Sequence, residues 1–206
     1  MADTYRTLRS ATEAEPPKSK GSRFIGYAAP AASEEEALAA VETMRKREHA
    51  ARHWCWAYRL GEAGETWRAN DDGEPNGTGG RPILQEIEGR GLTNTVVVVT
   101  RYYGGTKLGA GGLARAYGEA AALALETAAA ERLIRRVTIR VPVTLHFAFD
   151  DTSAAMRTAQ AFDAEIADQV YSASGGALVL AVRRSEAGPL AAQFIEATAG
   201  RGRVER

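Results

Sequence analysis

The chain has 206 residues, 45% of them hydrophobic and 25% charged, with 26 basic residues (Lys and Arg) against 26 acidic ones. These values are typical of a soluble globular protein with one large or two small domains. Because the net charge is zero, the composition excludes a general electrostatic attraction to nucleic acid or membrane. The single cysteine, Cys55, excludes an intrachain disulfide. The sequence shows neither a membrane-length apolar run nor a secretory leader, so we expect a cytoplasmic protein.

The first half of the chain alternates between predicted strands and helices. Residues 4–29 contain two extended stretches around a proline-interrupted connection, which indicates a strand pair. Ser33 and Glu36 form a capping box for an amphipathic helix that reaches His49. The unbroken apolar run over 95–100 predicts a strand that is buried on both faces. The remaining predicted elements are strands at 52–60 and 67–68 and helices at 82–88 and 113–130.

From Arg136 onward the pattern starts again with strictly alternating residues. We predict strands over Val137–Leu145, 165–173 and 177–184, and a short final strand after Arg201. Two helices lie between them, in the βαββαβ order of a ferredoxin-like domain. The residues expected to cap these helices or face inward are Asp150 or Asp151, Met156, Ala159 and Phe162 in the first, and Ser185, Leu190, Phe194 and Ile195 in the second. We therefore expect an α+β protein with domains at 1–134 and 135–206.

The predicted strand Val137–Leu145 also suggests a place for a partner. It contains Pro142, and proline in sheets is confined to edges or weakly paired positions. We therefore predict that this edge is partly open and can accept an extended segment by strand addition.

A glycine-rich loop joins the buried strand to the long helix that follows it. Because a helix N-terminus presents free N–H groups and a positive dipole end, we expect an anion site there. The spacing matches neither a P-loop nor a dinucleotide fingerprint. The alternative is a tight loop that only lets helix and sheet pack closely. The residues predicted to bind phosphate or the RNA backbone are Arg101, Gly104, Gly105, Thr106, Lys107, Gly109, Gly111, Gly112 and Arg115.

An acidic turn, Asp71 to Gly80, precedes the short helix. Its carboxylates Asp71, Asp72 and Glu74 are of the kind that binds Mg²⁺ or serves as general acid and base. Equally, they are turn residues that pair with the cations of the glycine loop if the two loops meet.

The aromatic strand carries two further candidates. His53 and Cys55 share one face of it, but residues two apart on a strand are about 6.5–7 Å apart, which is long for a catalytic dyad. A buried thiol beside a hydrogen-bonded imidazole is the simpler interpretation. On the other face, Trp54, Trp56 and Tyr58 are either core residues or a platform on which bases stack.

Three long motifs, His53 to Arg59, Asp71 to Leu84 and Arg101 to Tyr117, closely resemble the IMPACT/YigZ family in order and content. The resemblance covers residues 20–130 strongly, with Gly79 and Tyr103 standing where alanine and phenylalanine are usual. It implies a first domain like domain 2 of ribosomal protein S5, with helices on one side of a sheet, and a ferredoxin-like second domain. That pairing is similar to the fourth and fifth domains of elongation factor G, which act on the ribosome.

The resemblance implies a non-enzymatic, translation-associated protein that binds RNA, the ribosome or a translation factor. The alternative is an enzyme that acts on a phosphorylated or nucleotide substrate, with Mg²⁺ held by the acidic turn against the glycine loop. A third interpretation is that the motifs form a surface for a protein partner. Convergence of the three carboxylates on a concave pocket would favour the enzyme, whereas an open basic face would favour binding.

Overall fold

The computed structural model describes residues 2–206, which form two compact units. The first unit comprises residues 5–137, and the second comprises residues 138–206 together with residues 2–4. The boundary predicted after residue 134 lies close to this division, but nothing in the sequence pattern indicates that residues 2–4 join the second unit. Helices and sheets occur in both units, so the chain is an α+β protein.

The first unit is built on a five-stranded sheet in the order β2-β3-β6-β4-β5, in which all neighbouring strands are antiparallel. As predicted, two strands near the N-terminus pair with each other, namely β2 and β3. An additional strand, β1, pairs instead with β7. The elements are β1 (Thr4–Leu8), β2 (Thr12–Ala14), β3 (Arg23–Pro30), α1 (Glu34–Arg47), β4 (His53–Leu60), β5 (Thr66–Asn70), α2 (Gly80–Gly89), β6 (Thr95–Tyr102), α3 (Ala110–Ala130) and β7 (Ile134–Thr138).

The central strand β6 is buried on both faces, as its unbroken valine run predicts. Val97 and Val99 belong to the core formed with α2 and α3, whereas Val96 and Val98 belong to a second core formed with α1. The expectation of helices on one side only is therefore wrong. A strand without polar alternation carries apolar side chains on both faces, and each face must be buried by packing against other elements.

Helix α3 packs very closely on β3. Its inward face consists largely of alanine, including Ala120 and Ala124, both fully buried. Opposite them stands Gly26, where an added Cβ would overlap the backbone carbonyl oxygen of Ala120. The small-residue surface of the helix is thus matched by a glycine on the strand, which brings the two backbones together.

The second unit has a four-stranded sheet in the order β11-β8-β10-β9. Its core contains Val143, Leu145, Leu178, Leu180 and Phe194. The elements are β8 (Arg140–Phe147), α4 (Thr152–Ala161), β9 (Glu165–Ser172), β10 (Gly175–Arg183), α5 (Ala187–Ala197) and β11 (Arg203–Glu205).

The strand predicted over Val137–Leu145 is divided at Ile139. Residues up to Thr138 belong to β7, and β8 begins at Arg140. At Ile139 the backbone N–H donates to the Asp3 carbonyl (2.7 Å), a bond that a continuous alternation does not reveal. Strand β8 pairs along its length with β10, and residues 144–146 also pair with β11. Strand addition therefore stays a prediction, limited to residues 140–143.

The helix faces of the second unit were predicted only in part. Ala159 and Leu190 are buried, but Met156 is 40% exposed and Ile195 is 38% exposed. Asp151 precedes α4 without capping it, because its carboxylate binds Arg201 (2.6 Å). Ser185 lies in a 3₁₀ turn before α5. These side chains were misplaced because short 3₁₀ turns shift the helix starts, and tertiary ion pairs compete for the capping groups.

Across residues 2–206, no helix combines the length and the apolar character needed to cross a membrane.

The close approach at Gly26 gives a stability prediction. Gly26→Ala forces a methyl group into the Ala120 backbone, and such overpacking costs about 1–3 kcal/mol. We expect this loss in urea-induced unfolding followed by circular dichroism. The matched control is Gly89→Ala, where the added methyl group meets no atom within 4 Å and stability is expected to be maintained. Equal stability of the two variants would contradict the proposed packing.

Candidate anion-binding site

The acidic turn and the glycine loop meet at one end of the five-stranded sheet. The turn follows β5, and the loop follows β6 at Tyr102. Strand β4 lies between β5 and β6 in the sheet and aligns His53 with Arg101. The register of the sheet, rather than proximity in sequence, therefore brings the two loops together.

Glu74 is the central residue of this junction. Its side chain is 5% exposed, and its Oε1 atom accepts hydrogen bonds from Arg101 Nη1 (2.5 Å) and Tyr117 Oη (2.8 Å). His53 Nε2 lies 3.9 Å from the same oxygen. A buried ion pair persists only with supporting hydrogen bonds, and Tyr117 supplies one. Loop pairing, one of the two roles predicted for the acidic turn, is thus observed at Glu74.

Asp71 and Asp72 bind groups outside the glycine loop. Asp71 accepts from the N–H groups of Gly77 (2.8 Å), Gly79 (2.8 Å) and Gly80 (2.9 Å), and so holds the start of α2. Asp72 binds Arg45 (2.6 Å) and the Trp54 N–H (2.8 Å). Within residues 2–206, no group of three or more His, Cys, Asp or Glu side chains is arranged to hold a metal. The three carboxylates do not converge.

The amides of the glycine loop differ in their availability. Gly104 donates to Ser22 Oγ (3.1 Å) and packs so closely on Gly21 that a Cβ would overlap its backbone. At the start of α3, Gly109 has a φ of 73° and provides no side-chain cap. In the described chain, the N–H groups of residues 110–112 have no protein acceptor. The predicted seat for an anion is therefore available at the helix start but not at Gly104.

The three predicted cations have different environments. Arg101 is 5% exposed and pairs with Glu74, so its charge is already neutralised, contrary to its predicted role at a phosphate. Lys107 and Arg115 are exposed, and neither pairs with a carboxylate of residues 2–206. Lys107 lines the cavities described next, whereas Arg115 lines neither of them.

Two adjoining cavities flank the rim formed by Tyr103 and Lys107. One, of about 330 Å³, lies between Glu74 and the start of α3. The other, of about 280 Å³, adds Arg52 and His53. Arg52 is a further site residue that the sequence motifs do not single out. Its position immediately before the motif that begins at His53 was the available signal. Tyr103 is 44% exposed, and the Arg101 guanidinium lies 5.5 Å from its ring centre.

His53 and Cys55 bind separate backbone groups. His53 Nδ1 lies 2.8 Å from the Asp72 carbonyl oxygen, and Cys55 Sγ donates to the Asp71 carbonyl at 3.0 Å. Burial raises the pKa of Cys55 well above its ordinary value, and the nearby carboxylates raise it further. A protonated, enclosed thiol is a poor nucleophile. On the opposite face, Trp56 and Tyr58 are buried in the core with α1 and do not form a stacking platform.

This environment predicts an unreactive thiol. In the native protein at neutral pH, Cys55 should resist iodoacetamide, whereas the urea-unfolded chain should be alkylated completely, as measured by intact mass. Rapid alkylation of the native protein would contradict the burial and the raised pKa of Cys55. It would favour a catalytic dyad of His53 and Cys55.

The Glu74–Arg101 pair predicts strong thermodynamic coupling. Arg101→Met leaves a buried carboxylate without its counter-ion, and such a loss costs about 3–5 kcal/mol. We expect the double variant with Glu74→Gln to lose clearly less than the sum of the two single losses in urea unfolding. The control, Arg115→Met, removes an exposed cation and should change stability by less than about 0.5 kcal/mol. Additive losses would show that the pair does not stabilise the fold.

Comparison with known proteins places this site within a matched family domain. The family model of the Impact N-terminal domain matches residues 20–125. The "IMPACT family member in pol 5'region" of Thermus thermophilus is 54% identical over 123 residues, covering 59% of this chain and 65% of that protein. The "IMPACT family member YigZ" of Escherichia coli is 45% identical over 101 residues, covering 48% of this chain and 50% of that protein.

The matches therefore span less than two thirds of these curated relatives. A solved structure, described as a "Crystal structure of an hypothetical protein", superposes with a TM-score of 0.68 at 28% identity and covers 99% of this chain and 97% of its own. The family domain includes the Glu74–Arg101 pair, the glycine loop and the first turns of α3. The chain belongs to the IMPACT family.

Proposed function

We propose that this chain is a translation-associated cytoplasmic protein that binds RNA, on the ribosome or with a translation factor, through the end of the sheet where the glycine loop lies. One observation supports this most directly. The start of α3 presents N–H groups without protein acceptors, and Lys107 stands beside them without a counter-ion. Uncapped helix starts favour anions, and phosphate contacts supply much of the affinity for nucleic acid.

The fold adds support by analogy. The second unit has βαββαβ order with its strands arranged β11-β8-β10-β9, which is consistent with the ferredoxin-like assignment. The S5-like assignment of the first unit rests on the resemblance of its motifs. On these two assignments, the pairing is similar to that of the elongation factor G domains named above. Because folds host many functions, this analogy supports a ribosomal role without identifying the ligand.

The enzymatic alternative is supported by one observation, the cavity beside a buried carboxylate. Glu74 lines it, and His53 lies 3.9 Å from Glu74. However, a Mg²⁺ site at the acidic turn needs oxygen ligands that point to one place, and Asp71 and Asp72 are engaged with α2 and Arg45. Binding therefore accounts for more of the geometry than phosphoryl chemistry does.

The proposal predicts a salt-dependent interaction. Lys107→Gln combined with Arg115→Gln should weaken ribosome co-sedimentation and flatten its dependence on salt concentration. Each lost phosphate contact lowers the slope of log K against log salt by about 0.7–0.9. The single variants should show a larger effect for Lys107, which lines both cavities.

Lys46→Gln is the matched control, since Lys46 is an exposed lysine on α1. It should co-sediment with the wild-type slope. A wild-type slope in the doubly neutralised variant would refute phosphate binding at the glycine loop. A salt-independent interaction would point to a protein partner instead.

A further inference from the structure

The larger cavity combines three kinds of group around a small volume. Ala110, whose N–H group at the start of α3 has no protein acceptor in the described chain, and Lys107 lie at one side and provide a binding position for an anion. Glu74 provides a hydrogen-bond acceptor within it, and Tyr103 provides a half-exposed aromatic ring at the rim. The volume of about 330 Å³ lies at the lower end of the range for small-ligand sites, about 300–1,000 Å³.

The carboxylate of Glu74 makes the cavity selective for ligands that carry a hydrogen-bond donor. Arg101 and Tyr117 both donate to Oε1 of Glu74, and no described residue donates to Oε2. Only 5% of the Glu74 side chain is exposed, yet its Oε2 atom is not fully enclosed by protein atoms. Oε2 therefore keeps some access to solvent, and Glu74 is one of the residues that line the cavity. A ligand that fills this cavity must bring a hydrogen-bond donor to Oε2, because a buried acceptor without a donor is costly.

One hydrogen-bond donor of Arg101 has no acceptor in the described part of the protein. Its Nη atoms bind Glu74 and Ser22, but its buried Nε has no partner in the described chain. Arg101 lines both cavities. Because the Arg101 charge is paired with Glu74, the attraction for an anion beside the helix start comes from Lys107 and the free N–H groups there.

We propose that this cavity binds one nucleotide of single-stranded RNA and distinguishes it from DNA through the ribose hydroxyl. The phosphate lies at the start of α3, on the Ala110 N–H group and on Lys107, the base stacks on Tyr103, and the 2′-OH donates to Glu74 Oε2. This assignment rests on the proposed RNA binding and names its ligand. The 2′-OH is the group by which proteins tell RNA from DNA, and stacking on an aromatic ring suits an unpaired base.

The neighbouring cavity indicates that the strand continues beyond this nucleotide. It shares Tyr103 and Lys107 with the first cavity and adds the exposed Arg52. A second phosphate beside Arg52 fits a flexible strand that crosses the rim from one cavity to the other. A base-paired duplex cannot place a single unstacked base against Tyr103, so single-stranded RNA is the ligand that the geometry favours.

The test compares three fluorescently labelled probes of equal length by anisotropy: oligoadenylate, oligodeoxyadenylate and 2′-O-methyl oligoadenylate. We expect the wild-type protein to bind oligoadenylate at least about tenfold more tightly than either of the others, because each lacks the donor to a charged acceptor. The 2′-O-methyl probe keeps an RNA-like backbone, so this comparison needs no variant that might fail to fold.

Three variants then test the phosphate, ribose and base contacts separately. Lys107→Gln should weaken all three probes by the same factor, because the phosphate is common to them. Glu74→Gln should reduce the affinity for oligoadenylate towards that for oligodeoxyadenylate, with the fold checked by circular dichroism. Tyr103→Leu should weaken all three probes about tenfold through lost stacking.

The outcomes are distinguishable. Equal affinity for oligoadenylate and its 2′-O-methyl form, with both still dependent on Lys107, would overturn the ribose assignment and leave the proposed RNA binding intact. Binding that is absent, or that is unaffected by Lys107→Gln, would overturn both and direct attention to a protein partner.

Discussion

The buried ion pair between Glu74 and Arg101 fixes the geometry of the candidate site. It joins the acidic turn to the end of β6 across a sheet, and both side chains are nearly inaccessible to water. A pair of this kind is stable only when its remaining hydrogen-bonding capacity is met, which Tyr117 and Ser22 do in part. The pair thereby joins the acidic turn to the end of β6, and the cavity lies between Glu74 and the start of α3.

The same pair determines which groups remain available to a ligand. Because Arg101 is neutralised within the protein, the charge at the glycine loop comes from Lys107, with Arg52 nearby. Because Gly104 is bound to Ser22, the free amides are those at the start of α3. The glycine loop thus combines the two roles that its sequence suggests, close packing and an anion site. Its first part is a tight packing element, and its last part is an open helix terminus.

Much of the fold could be predicted from local patterns. The valine run of β6, the capping box of α1 and the alternation in the second unit each identify an element, because hydrophobic periodicity and capping act within a few residues. The division at Ile139 and the exposure of Met156 could not be predicted. Both depend on contacts distant in sequence, such as the bond between Ile139 and Asp3, for which a single sequence gives no signal.

The grouping of the candidate residues could be predicted in part from the sequence, but their pairing of charges could not. The sequence places three cations near the glycine loop, and it cannot say which of them has a carboxylate partner until the sheet register aligns β4 with β6. With Arg101 neutralised, affinity must rest more on backbone amides than on net positive charge. Amides act over a short range and require an anion to approach closely, whereas a dense cationic patch attracts any polyanion from a distance. A neutral protein with such a site is therefore suited to hold individual phosphates of a strand at short range rather than to attract any polyanion from a distance.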